Sequence, residues 1–295
     1  MKVGQCKYVI LTNQFGGILN DPVMLRVEED CYWFSLADSD ILFWAQGLNV
    51  HLKYDVVITE PDVSPIQLQG PKSKDIMVKI FGNEILELKY YWFKKFKLGN
   101  INLLISRTGW SSEFGYEMFL LKTSDGDELY ETLMQEGKDL GLHPGHTSTI
   151  RRIEGGMLSY HSDMDINTNP FELGLDKFID LEKSFDFVGK DALIKIKKLG
   201  IQRKQVGLII ECEKLKGPNT KKWGIFKNQQ RIGQVTSAVY SPRLEQNIAL
   251  AMVDIEYSDI NTSLKIKIDN NLIDAKITVK PFFDPNKLIA KKSSI

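Results

Sequence analysis

The sequence predicts an α+β fold, with mixed or antiparallel sheets and helices, followed by a small C-terminal antiparallel β-barrel. Three observations carry this expectation. Short apolar runs punctuated by glycine and proline recur from residue 7 onward, as strands and turns do. The stretches 127–140 and 149–160 instead space their apolar residues for one helical face. Past the basic, glycine-containing stretch 195–204, only short strands with turn signals follow, which suits a small barrel. The boundary falls near residue 200, giving a first domain over 1–200 and a barrel over 201–287 of the 295 residues.

Element by element, Tyr8-Val-Ile-Leu-Thr12 reads as an apolar strand, and Gly16-Gly17 supplies a turn. Residues 23–27 and 32–35 alternate as further strands. A helix is expected from Ser39 to about Gly47, capped by Asp38 or Ser39, with Ile41, Leu42, Trp44 and Ala45 buried. Val56-Val-Ile58 reads as a strand. Residues 64–71 form a strand ending on a Gly-Pro turn, and a helix over 73–81 carries Ile76, Val78 and Ile80. Residues 90–93, 101–106 and 117–121 read as strands. In the barrel, strands are expected over 205–211, 223–227, 232–239, 248–254 and 264–268.

Composition narrows the function classes. Thirty-eight basic and 38 acidic side chains cancel, so no global field points to nucleic acid or an anionic membrane, and an anionic ligand must be held by local charge. Cys6, Cys31 and Cys212 are scattered and form no CxxC pair, which argues against a zinc site or disulfide framework. His143 and His146 stand three apart in His-Pro-Gly-His, a spacing that suits a turn and that two metal-binding imidazoles could also use. No run approaches the ~18 apolar residues of a membrane span, and the first residues lack the apolar core of a signal peptide. The expectation is a soluble chain in a reducing, cytoplasmic setting, with no metal.

Three motifs hold residues able to do chemistry. In Gly16-Gly17-Ile-Leu-Asn20-Asp21-Pro22, an acid follows a strand end and precedes a proline, so it sits on a short, rigid path. It could meet a ligand nitrogen, or cap its own backbone in an Asx-turn. In Thr108-Gly-Trp110-Ser-Ser-Glu-Phe-Gly-Tyr116-Glu117-Met-Phe119, a polar loop between glycines leads into Glu117. Its carboxylate could pair two donors on a planar heterocycle, with Trp110 and Phe119 against a flat ring or cation; the alternative is a solvated hairpin. In Arg151-Arg152-Ile-Glu154-Gly-Gly, Arg151 and Glu154 pair at i, i+3, ordinarily a solvated face, beside glycines that admit another backbone.

In this order the motifs resemble the folate-binding family of the glycine cleavage system T protein, an aminomethyltransferase. That family shows a Gly-Gly-x-x-Asp-Asp turn, a Gln-Gly-Pro turn, a Thr-Gly…Gly-Tyr-Glu strand and a Leu-Glu-Ala-Gly-type helix. The counterparts here are residues 16–21, Gln69-Gly70-Pro71, residues 108–117 and Ile153-Glu154-Gly155-Gly156. Phe187-Val-Gly-Lys-Asp-Ala-Leu193 and residues 233–242 extend the likeness into the last domain. Within the family the chain is most similar to the dimethylsulfoniopropionate demethylase branch, through residues 20–23, 33–40, 60–65 and 169–177. Asn20 precedes Asp21 where the glycine-cleavage enzymes carry two aspartates, and Ser148 stands where they carry an arginine that helps hold folate. No cysteine lies near Phe187, which sets aside the iron–sulfur-linked branch. Relative to the family, the chain is expected to start inside the first domain, with a leading segment absent.

The resemblance implies tetrahydrofolate as methyl acceptor and a folate pocket through the first domain. Glu117 would accept hydrogen bonds from the pterin edge, and Asp21 would be the catalytic acid beside the reacting nitrogen. Tyr32, Ser35, Trp110 and Tyr160 would line the folate, with Tyr8, Trp92 and Phe119 toward the methyl donor. Phe119 takes the place of a tyrosine in the demethylase pattern, so a hydroxyl contact is lost there. The implied reaction moves a sulfonium methyl to N5 and releases a neutral thioether, with alignment supplying several kcal/mol and each aromatic face roughly 0.5–2 kcal/mol. Alternatives are a methylamine or betaine donor, the aminomethyl reaction with a lipoyl carrier protein, and a non-catalytic folate-binding protein. A homodimer is left open.

Overall fold

Between Tyr8 and Leu11 the chain passes from one packing unit to another, so the single strand expected over residues 8–12 is two strands. The computed structural model describes residues 1–36 and 40–292. Its first strands are β1 (Cys6–Tyr8), β2 (Leu11–Thr12), β3 (Ile18–Asn20), β4 (Val23–Arg26) and β5 (Tyr32–Ser35). Helix α1 (Ile41–Leu52), β6 (Ser64–Gln69) and α2 (Ser73–Phe81) follow, then β7 (Phe93–Leu98), β8 (Ile101–Ser106) and β9 (Gly115–Leu120). Helices α3 (Gly126–Gly137), α4 (Thr149–Glu154) and α5 (Lys190–Leu199) lead to the barrel strands β10 (Arg203–Ile210), β11 (Trp223–Lys227) and β12 (Gln230–Ser241). Strands β13 (Gln246–Asp254), β14 (Ser263–Ile268) and β15 (Asn271–Thr278) precede a short α6 (Leu288–Lys291).

Two compact units result, both discontinuous in sequence: Met1–Tyr8, Pro22–Thr147 and Lys287–Ile295 in the first, Val9–Asp21 and Ser148–Asn286 in the second.

The first unit holds a four-stranded antiparallel sheet, β6-β9-β8-β7, and a three-stranded one, β1-β4-β5. Strand β9 is buried along its whole length, because both of its faces are covered. Tyr116, Met118 and Leu120 point into a cluster with Ile76, Met77, Leu129 and Leu133 of α2 and α3. Phe119, on the opposite face, joins Leu104, Phe93, Cys6 and Leu25. Each fully buried aliphatic chain contributes about 1.5–3 kcal/mol.

The second unit holds the closed barrel β10-β13-β12-β11-β14-β15. Strand β13 alternates between Ala249, Ala251 and Val253 in the barrel interior and Ile248, Leu250 and Met252 against Ile18 and Ile153 outside it. With both faces buried, the strand reads as a continuous apolar run. Small residues inside suit a narrow barrel.

Several expectations are corrected. Val56-Val-Ile58 is not a strand; Val57 is 91% exposed. The 90–93 strand begins only at Phe93, because Tyr91 takes a left-handed turn conformation. Helix α4 stops at Glu154 rather than 160, where Gly155-Gly156 ends it. Helix α1 forms, but none of its residues is fully buried; its apolar side chains run nearly all round, so no single face can hide them. The caps expected at Asp38 or Ser39 lie outside the described residues, as do residues 293–295 of the tail. Helix α5 and strand β15 were not anticipated. Among the described residues, no helix is long and apolar enough to cross a membrane, and no group of three His, Cys, Asp or Glu could hold a metal ion.

Candidate functional site

Glu117 occupies the middle of β9 rather than its start. Cross-strand register puts it opposite Gln67 of β6 on one side and Ser106 of β8 on the other. At 8% exposure it is not the solvated hairpin acid that spacing alone allows. Its Oε1 accepts from Gln67 Nε2 at 2.8 Å, and its Oε2 accepts a short hydrogen bond from Thr108 Oγ1. Burial pushes the Glu117 carboxyl above the usual carboxylate range, and the Thr108 bond opposes the rise. Burial, then the Glu117 charge, also raise the nearby Cys6 thiol. A carboxylate oxygen has room for a second donor, so Glu117 can still receive the paired N–H groups of a planar amidine-like edge.

The loop that carries Thr108 closes around Gln69. Gln69 Nε2 donates to the carbonyls of Thr108 and Tyr116, both at 3.2 Å, and its Oε1 accepts from Ser111 Oγ at 2.6 Å. A Cβ on Gly109 or Gly115 would stand 2.6 or 2.5 Å from Gln69 Cδ, inside van der Waals contact. The Gln-Gly-Pro and Thr-Gly…Gly-Tyr-Glu motifs are therefore two halves of one clamp.

The remaining sequence-predicted residues of this unit are placed as follows. Tyr8, Val23 and Ser35 stand in one register row across β1-β4-β5, with Tyr8 and Ser35 half-buried. Tyr32, an odd number of positions from Ser35, falls on the opposite face of that sheet. It is exposed there, with the Arg26 guanidinium 5.7 Å from its ring. Trp92 is half-buried and bridges to Gln5. Trp110 is half-buried in the loop between Thr108 and Gly115. Phe119 shares the Glu117 face but lies within the apolar cluster, at 4% exposure.

In the second unit, Asp21 ends the β2–β3 hairpin as the spacing predicts. Its N–H donates to Asn20 Oδ1 at 2.9 Å, and the Asn20 side chain is fully buried. The hairpin is fixed at Gly17, where a Cβ would lie 2.7 Å from the Ile166 carbonyl carbon, and Ile18 N–H donates to Thr168 O at 2.9 Å. Tyr160 donates to Ile18 O at 3.3 Å. Burial, then the charges of Asp165 and Asp21, push its hydroxyl up, and its bond to Ile18 sets Tyr160 against the hairpin that bears Asp21.

The Arg-Arg-Ile-Glu motif of α4 is not a solvated face. Ser148 Oγ caps the helix, accepting from Arg151 N–H at 3.3 Å. Glu154, 1% exposed, accepts from Arg151 Nη1 at 2.8 Å and from Ser241 Oγ at 2.6 Å. Arg152 donates to Asp163 Oδ2 at 2.8 Å and to Ser237 Oγ at 2.9 Å. Asp163 Oδ1 accepts from Thr236 and Ser237 hydroxyls at 2.6 and 2.7 Å. These bonds tie α4 to the barrel. Sequence reasoning missed Asp163 and Gln67. For Gln67 a signal existed, since Gln67 and Gln69 form a period-two polar pair around Leu68, with Ile66 before it.

Comparison with known proteins identifies the family and the fold. Residues 1–183 match the model of the GCVT N-terminal domain, and residues 203–284 match that of the glycine cleavage T-protein C-terminal barrel domain. The chain is 34% identical over 279 residues to the dimethylsulfoniopropionate demethylase DmdA of Ruegeria pomeroyi, covering 95% of this chain and 75% of the relative. It is 29% identical over 292 residues to an aminomethyltransferase of Caldanaerobacter subterraneus subsp. tengcongensis, covering 96% and 76%. The crystal structure of glycine cleavage system aminomethyltransferase T from Bartonella henselae shares the fold, with a TM-score of 0.78 at 22% identity over 97% of this chain and 78% of that one.

Proposed function

Because this chain belongs to the glycine cleavage T-protein family, we propose that it is a tetrahydrofolate-dependent methyltransferase that takes its methyl group from a small sulfonium such as dimethylsulfoniopropionate. The folate-binding part is assigned to residues 1–200 and the barrel to 201–287. The observation that carries the folate reading is the Glu117 carboxylate, buried, held by Gln67 and Thr108, and still able to accept two more donors. Such a group fits the amino–amide edge of a pterin. The 34% identity to the demethylase of Ruegeria pomeroyi supports the sulfonium donor.

In this reading Glu117 binds and orients the pterin. Trp110 and Ser35 contact the folate, as does Tyr160, whereas Tyr32, exposed on the other face of the β1-β4-β5 sheet from Ser35, is left out of the pocket. Tyr8, Trp92 and Phe119 belong to the donor side, where Phe119 acts through packing. Tetrahydrofolate supplies the nucleophilic N5. The sulfur–methyl bond breaks with its electron pair going to sulfur, a nitrogen–methyl bond forms, and the N5 proton departs. Asp21 balances the positive charge that develops on the nitrogen and accepts that proton. Alignment carries most of the acceleration, because a sulfonium already has a neutral leaving group.

The aminomethyl reaction with a lipoyl carrier is the second reading, favoured by the 29% identity to an aminomethyltransferase. Against it stands Ser148, which caps α4 in the place where the family's arginine is expected. Incubation with tetrahydrofolate and dimethylsulfoniopropionate, followed by chromatography of 5-methyltetrahydrofolate, tests the proposal. Product is expected without any carrier protein. Folate binding with no methyl transfer from any sulfonium would refute it.

A further inference from the structure

Arg107 is 2% exposed, and among the described residues no carboxylate pairs with it. A buried cation is retained only where other groups replace its water. Here backbone carbonyls do so: Nη1 donates to Gly115 O at 2.7 Å, and Nη2 donates to Ala290 O at 3.0 Å and Lys292 O at 3.3 Å. The guanidinium carbon lies 3.7 Å from the Phe114 ring centroid. The backbone is pinned as well, since Arg107 N–H donates to Trp92 O at 2.9 Å and Arg107 O accepts from Tyr91 N–H at 3.0 Å.

One side chain thus joins the end of α6 to Gly115, two residues before Glu117. Its own chain neighbour, Thr108, donates to Glu117. The α6 segment is seated rather than trailing: Ala290 is buried, and Ile289 packs against the cluster containing Tyr116 and Met118. A guanidinium on carbonyls at a helix end is also the favourable orientation for a cation there.

We propose that Arg107 is a positioning residue through which residues 287–292 hold the loop 108–115 and Glu117 in their binding geometry, so that this last segment is part of the folate site. The link to folate rests on the function proposed above; the link to loop geometry does not. Two variants test it, deletion of residues 287–295 and Arg107→Lys in the full chain, both followed by hydrogen exchange. The expected result is faster exchange, by about tenfold, at amides 107–117 in both variants, with β10–β13 unchanged. A synthetic peptide of residues 286–295 should restore protection to the deletion variant. Tetrahydrofolate affinity should fall in parallel, while turnover at saturating folate stays near that of the parent chain. Unchanged exchange at 107–117 would overturn the proposal. So would protection lost evenly throughout the first unit in both variants, which would make Arg107 a general stabiliser. Exchange is read without folate, so a failure of the folate reading leaves this outcome legible.

Discussion

Gln67 Nε2 donates to Glu117 Oε1 at 2.8 Å, and the two residues stand directly opposite each other in the β6–β9 register. Gln67 is exposed on the edge strand and Glu117 is buried beside it, so the amide is the outer neighbour of the acid. Glu117→Gln keeps the shape and removes the charge. Charge-assisted hydrogen bonds are worth about 1.5–3 kcal/mol, so folate affinity should fall roughly ten- to hundredfold, as calorimetry would read. Since burial raises this carboxyl, affinity in the parent chain should weaken as pH falls through the raised pKa, and the variant should lack that dependence.

The clamp on Gln69 gives a second expectation. Gly115→Ala sets a methyl against Gln69 Cδ, and overpacking of this kind costs about 1–3 kcal/mol. Gln69→Ala in the same chain should recover part of the loss, a coupling that a double-mutant cycle of urea midpoints would measure. Simple additivity would show that the clamp yields without strain.

Asp163 is the sink of a buried network. Asp163→Ala leaves the Arg152 guanidinium without its carboxylate, and an uncompensated buried charge costs about 3–5 kcal/mol. Thermal or urea unfolding of the second unit should register this loss.

Lys280 supplies a pH dependence. Burial first lowers its pKa to about 8, with Lys204 adding to the fall and the Asp163 charge opposing it. Its side chain donates to Gln205 Oε1. An unfolded lysine titrates near 10.4, so between about pH 8 and 10.4 the unfolded chain binds more protons. Stability of this unit should therefore rise with pH across that window, by at most about 3 kcal/mol. Lys280→Met should flatten that part of the profile when denaturant midpoints are followed.

Much of this was legible in the sequence. Five of the six barrel strands are short apolar runs closed by turns, and local pattern suffices to find them; β15, with Asp274 and Lys276 among its apolar residues, escapes it. Asp21 was placed by its strand end and its proline. Glu117 was identified as a residue but not in its environment, because burial of β9 on both faces depends on α2, α3 and the β1-β4-β5 sheet, which a local window does not contain. Helix α5 was obscured by Lys195, Lys197 and Lys198, read as a composition shift; Leu193 is its buried residue, with Ile196 beside it near Gly16. The division of residues 8–12 was invisible for the same reason: Tyr8 and Leu11 are both apolar and join different units.

That division bears on how the molecule is made. The hairpin bearing Asp21 leaves the ribosome well before its partners Thr168 and Val188, which lie 150 and 176 positions further along from Ile18 and Thr12. The first unit is likewise closed from a distance, because Arg107 meets Ala290 and Lys292 across 183 and 185 positions of sequence. Domains that fold in the order of synthesis shelter each apolar surface as it appears. Here Ile18 lacks Ile153, Thr168 and Leu250 until those later stretches have been made, so slow or interrupted translation should be felt as aggregation before it is felt as lost activity.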